Sequence, residues 1–267
     1  MGASVEQVLL TANDAKLHRG MSMKLGKLAF KIVKIFPSLE AVQPRCMPGI
    51  QSLCTLHLEL EKATTLLQYC AECSKLYLVV TEDSILAKFT RIKGSLTQRL
   101  SHLESMVPRN LARQIAEIVK GLEETTFALE PSEMEIGIDI ITLLGHSSGG
   151  WNDASQLEVF CQAANRPGIV SPKDVLTERR ALKKLLDKAQ AEEDLKKASI
   201  VVYLLNHLRK YAKLSYISLD NDSQNSDPCL HSSREIASEV SVGKKKMTSV
   251  DLNFGHLTWL PKKPIAV

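Results

Sequence analysis

Residues 85–107, ILAKFTRIKGSLTQRLSHLESMV, carry apolar side chains at Ile85, Phe89, Ile92, Leu96, Leu100, Leu103 and Val107. Each lies three or four residues from the next, which is one face of an α-helix of about six turns. Pro108 follows, and proline is tolerated where a helix restarts because first-turn N–H groups have no partner within the helix. Leu111, Ile115, Ile118 and Leu122 then repeat the spacing. Upstream, Leu25, Leu28, Ile32, Ile35 and Phe36 make an equivalent stripe that Pro37 is expected to end. A long apolar segment over 50–81 is entered through a Pro/Gly turn at 44–49. Four long helices joined by short turns predict an antiparallel four-helix bundle over 1–130, because short connections force neighbours to run up and down.

Beyond residue 130 the helices shorten. Ser132 and Glu135 have capping-box spacing after Pro131 and predict a helix through Leu144. A polar, Gly-rich loop at 145–153 leads to a helix around Leu157, Phe160 and Ala164. Ser171-Pro172 opens a long charged helix expected to run unbroken to near Ser215. Leu182, Leu186, Ala189, Val202, Leu205 and Leu208 are its expected buried side. Residues 218–241 are rich in Ser, Asp and Asn and hold few large apolar side chains. Such a stretch cannot offset the entropy of ordering, so 216–267 is read as a disordered linker or tail. The expected architecture is therefore all-α: a bundle over 1–130, further helices over 131–215, then the tail.

Composition agrees and narrows the function. Of 267 residues, 44% are apolar, 24% charged and only 5% aromatic, a helix-leaning balance. The net charge of +4 comes from Lys and Arg interleaved with Asp and Glu, not from the basic stripe that marks a nucleic-acid-binding domain. No apolar run approaches the roughly 18 residues of a membrane span. MGASVEQVLL lacks a basic region before an apolar core, so no secretory signal is read there. Glu6 stands where myristoylation after Gly2 would want Ser or Thr. Cysteines 46, 54, 70, 73, 161 and 229 are irregularly spaced, as expected of reduced thiols in a cytoplasmic or nuclear protein. Lys244–Lys246 adds a nuclear-targeting hint.

Four motifs bear on chemistry. Gly145-His146-Ser147-Ser148-Gly149 fits the nucleophile elbow, with Asp220 or Asp222 and His256 in the right order for a serine hydrolase. An elbow, however, follows a strand of a parallel sheet, and the preceding run carries Glu133, Glu135 and Asp139 at helical spacing. Cys70-x-x-Cys73 has no second ligand pair, and Cys54 and His57 are about 20 Å away at 1.5 Å per residue. Buried thiols are the better reading, and no metal or cofactor is expected. Lys24, Lys27, Lys31 and Lys34, opposite the stripe of residues 21–36, would suit an anionic membrane surface, although a solvated bundle face has the same pattern. Arg179, Arg180, Lys183 and Lys184 face Asp187 and the acids at 192–194; they are either a salt-bridged solvated face or a docking site for an acidic protein partner. No catalytic residue is assigned.

Three segments carry a family resemblance: IFPSLE (35–40), PRCMPGIQSLCTLHLELEKATTLLQYCAECSKLYLVVT (44–81) and TERRALKKLLDKAQAEEDLKKASIVVYLLNHLRKYAKL (177–214). Together with similarity between them over 5–215, they resemble the N-terminal region of plant U-box E3 ubiquitin ligases with armadillo repeats. The resemblance implies a Cbl-type adaptor bundle, ahead of a linker, a U-box that recruits a charged conjugating enzyme, and substrate-binding repeats. Nothing in 216–267 resembles the Cys-Pro-Ile-type start of a U-box, and no repeat of about 40 residues is present. The expectation is a regulatory, protein-binding module truncated before the U-box and inactive as a ligase alone. Its partners would be proteins, receptor-type kinases among them.

Overall fold

The computed structural model describes residues 5–42, 47–145 and 153–222, and the periodic stripes become helices throughout them. These are α1 (Val5–Asn13), α2 (Arg19–Val42), α3 (Met47–Glu72), α4 (Lys75–Val80), α5 (Glu82–Glu104), α6 (Arg109–Glu124), α7 (Pro131–Gly145), α8 (Asp153–Asn165), α9 (Pro172–Ala191) and α10 (Leu195–Asp222). No strand occurs among the described residues, and the all-α reading stands.

The stripe of α5 is buried from Ile85 to Leu103, as are all four predicted residues of α6. Neighbours run antiparallel. Ser52 early in α3 meets His102 late in α5 at 2.5 Å. Phe36 late in α2 lies 5.7 Å from His57 early in α3, ring to ring. Phe127, just past α6, packs at a tilt against Phe89 early in α5, ring centroids 5.3 Å apart. The short α1 lies on α2 and α3. Its approach to α2 needs Gly26, where a Cβ would stand 2.6 Å from the Ala12 Cβ.

Several boundaries differ from those expected. Pro37 does not end α2, which runs on to Val42 with Leu39 only 1% exposed. A proline removes one helical hydrogen bond, and burial of Ile35 and Leu39 on either side holds the turn. The segment over 50–81 is two helices, because Ser74 stops the first and caps the second, accepting from the Tyr77 N–H at 3.1 Å. Helix α7 starts at Pro131, so Ser132 lies inside the first turn and the predicted cap is not there. The capping box forms instead at Ser171, whose hydroxyl accepts from the Asp174 N–H while Asp174 accepts from the Ser171 N–H.

The long charged helix is two helices. It breaks at Glu193, in the left-handed region at φ 55°, and Asp194 restarts it by accepting from the Lys197 N–H at 3.0 Å. The second helix passes Ser215 and ends at Asp222, so the first residues assigned to the tail are helical. The rest of the tail lies outside the described residues.

Candidate functional site

The break between α9 and α10 creates a surface cleft among the described residues. Two helices joined by a three-residue turn fold back as an antiparallel hairpin. Its inner face carries Val175, Leu182, Leu185 and Ala189 from α9, and Val201, Leu204, Leu208 and Tyr211 from α10. Tyr203 donates to the Leu143 carbonyl at 3.0 Å. Tyr211 donates to Asn165 Oδ1 at 2.7 Å and to the Ile169 carbonyl at 2.8 Å. These bonds fix which side of α10 faces α7 and α8, and hence which side faces outward.

The outer face holds an open cleft of about 260 Å³. From α9 it is lined by Arg179, Lys183 and Leu186; from α10, by Val202, Leu205, Asn206 and Arg209. Because the helices are antiparallel about the turn, Arg179 and Arg209 lie toward the end far from it, and Leu186 and Val202 toward the end near it. The cleft thus has a cationic end and an apolar end. None of its lining residues is acidic, and Arg179, Lys183 and Arg209 make no ion pair among the described residues.

The four predicted cations all stand exposed on α9, two in the cleft and two beside it. Arg179 and Lys183 line the cleft, while Lys184 turns toward the end of α3, 3.8 Å from Glu72, and Arg180 stands one turn from it. Arg209 was not predicted. Leu186, Val202 and Leu205 were expected inside a single helix. Instead Val202 is 43% exposed and Leu205 half-buried, because the turn resets the phase of α10, and Leu186 of α9 is half-buried along the same cleft.

The other candidates fare differently. Cys70 and Cys73 are both buried, and burial pushes each thiol up to about 11, which suppresses the thiolate a redox pair needs. Among the described residues no group of three or more His, Cys, Asp or Glu is placed to hold a metal ion. The run before the G-x-S-x-G motif is α7, a helix and not a strand, so the elbow loses the strand it springs from. Residues 146–149 and His256 lie outside the described residues, and Asp220 and Asp222 end α10. The apolar stripe of 21–36 faces the core, with Met21, Leu25, Leu28 and Ile32 buried, so it is not free to enter a lipid surface. No helix among the described residues is long and apolar enough to cross a membrane.

Two buried carboxylates join the helices after residue 130 to those before it. Glu178 of α9 accepts from the Ser74 hydroxyl at 2.5 Å and from the Leu76 and Lys75 N–H groups at 2.9 and 3.1 Å. It thereby caps α4 from another element. Glu133 of α7 accepts from the His18 N–H at 2.7 Å and lies 2.9 Å from the His18 Nδ1. Burial pushes its carboxyl up, but the bonds from His18 outweigh that and hold it below its ordinary value. Beside it Glu82, also buried, is pushed up to about 7 by burial and then by the charge of Asp83. Its Oε2 has no hydrogen-bond partner, and a Cβ on Gly137 would stand 2.6 Å from its Oε1.

Comparison with known proteins places the chain among plant relatives. U-box domain-containing protein 7 of Arabidopsis thaliana is 47% identical over 272 aligned positions, covering 97% of this chain and 34% of the relative. U-box domain-containing protein 6 of the same plant is 48% identical over 231, covering 85% and 30%. U-box domain-containing protein 45 is 49% identical over 231, covering 84% and 30%. The chain spans about a third of the length of these curated relatives. No protein-family model and no solved structure matches it.

Proposed function

As a homologue of the plant U-box domain-containing proteins, this chain is, we propose, a regulatory protein-binding module of the ubiquitination pathway. The observation that carries this reading is identity near one half along most of the chain. In this reading α2, α3, α5 and α6 form the Cbl-type four-helix bundle of a first domain over 1–130, with α1 packed on its edge. A second domain, 131–215, adds the α9–α10 hairpin. The region lies ahead of the U-box and performs no ubiquitin transfer itself. It works in the cytoplasm or nucleus, and receptor-type kinases are the first partner class to test. The binding surface is the cleft of Arg179, Lys183 and Arg209, which is exposed, cationic and built by one of the three family-like segments.

The test is reconstituted ubiquitination with ubiquitin, activating and conjugating enzymes, a full-length U-box relative and a receptor-type kinase domain as the trial substrate. The chain alone forms no polyubiquitin, and adding it in excess lowers modification of the kinase domain. Charge reversal at Arg179, Lys183 and Arg209 removes that inhibition. Unchanged modification at every dose of the wild-type chain defeats the reading.

A further inference from the structure

We infer that the α9–α10 cleft seats an acidic amphipathic helix of a partner protein. This rests on reading the cleft as the partner-binding surface and adds the class of ligand. Side chains of adjacent helices form parallel ridges, and the valley between two antiparallel helices accepts the ridge of a third. Here the valley runs from Arg179 to Leu186 on α9, about 10 Å at 1.5 Å per residue, which is two helical turns. Its apolar end of Leu186, Val202 and Leu205 covers about one turn and fits apolar residues at i, i+3 and i+4 of an incoming helix.

Charge selects the occupant. Arg179 and Arg209 bracket one end with Lys183 between the ends, no carboxylate lines the cleft, and none among the described residues pairs with these three. Nearby cations do have partners: Lys184 meets Glu72, and Lys188 and Lys197 share Glu192. A partner with acids past its apolar residues would neutralise the three remaining cations, and a basic helix would be repelled. A purely anionic chain would leave the exposed Val202 uncovered.

The experiment uses the full chain and three fluorescein-labelled probes. One is a helical peptide with leucines at i, i+3 and i+4 followed by glutamates, one the same peptide with lysine for glutamate, and one polyglutamate. The acidic amphipathic peptide should bind saturably, weaken as salt rises, and lose about tenfold in affinity with Arg209→Glu and again with Val202→Glu. Both residues are exposed, and unchanged circular-dichroism melting shows that the variants fold. Equal binding by the lysine peptide, equal binding by polyglutamate, or indifference to both variants each overturns the proposal. If the peptide fails while cleft reversal still relieves inhibition of the ligase reaction, the occupant was wrong and the functional reading stands. If both fail, the functional reading falls with it.

Discussion

The helices after residue 130 attach at two junctions, and each buries carboxylate differently. At α4, Glu178 is only 4% exposed, yet it accepts from one hydroxyl and two backbone N–H groups. At α7, Glu133 is satisfied by His18, while Glu82 a few ångströms from Gly137 lacks a partner for one oxygen. Burial depth is alike for all three, near 4–8%. What separates them is the number of donors aimed at each: a buried carboxylate with donors organises its surroundings, and one without them sits as stored instability.

The largest effect should come from breaking the satisfied junction. Glu178→Ala strands the Ser74 hydroxyl and two N–H groups and should lower unfolding free energy by about 3 kcal/mol, at about 1 kcal/mol or more for each stranded donor, in urea titration. Glu178→Gln, which keeps an acceptor, should recover part of that loss. At the other junction Gly137→Ala puts a methyl against the carboxyl end of Glu82, which must swing aside, while helix propensity favours alanine; the net change should stay within about 1 kcal/mol.

Glu82→Gln sharpens the contrast by going the other way. A carboxyl whose folded pKa, about 7, exceeds its unfolded value binds more protons in the folded state. The native state is therefore penalised progressively as pH rises from the unfolded value toward 7, and fully above it. The glutamine variant should be more stable than wild type by about 1–2 kcal/mol at pH 8 and should lose that advantage by about pH 4.5. A gain that persists unchanged into acid would mean the ionisation of Glu82 is not the cause. Smallest of all, reversing Arg179, Lys183 and Arg209 should leave stability within about 0.5 kcal/mol, since none joins the core.

Much of the fold was legible because helix period reports burial directly. Every apolar position predicted from Ile85 to Leu103 is in the core. What the period could not report was phase across an interruption. Ser74 and Glu193 each break a run whose apolar spacing looks continuous, because capping and left-handed geometry act at single residues. The cleft shows the consequence. Arg179 and Lys183 were visible as a basic run, but Arg209 joins them only once α10 folds back, and Val202 moves from expected core to surface for the same reason. The tertiary caps were out of reach, since Glu178 and Ser74 are 104 residues apart and neither forms a local pattern.

The turn at 192–194 also bears on how such a surface could diverge. A residue gained or lost there would rotate α10 by about 100° against α9, yet leave every cation on α9 in place. Arg209 would leave the cleft and a different side chain would take its position, so one codon could redraw specificity without touching a binding residue. Tyr203 and Tyr211, anchored on α7 and α8, resist that rotation. Length variants of this turn should therefore survive only alongside changes at the two tyrosines, a pairing that sequences of related genes can reveal.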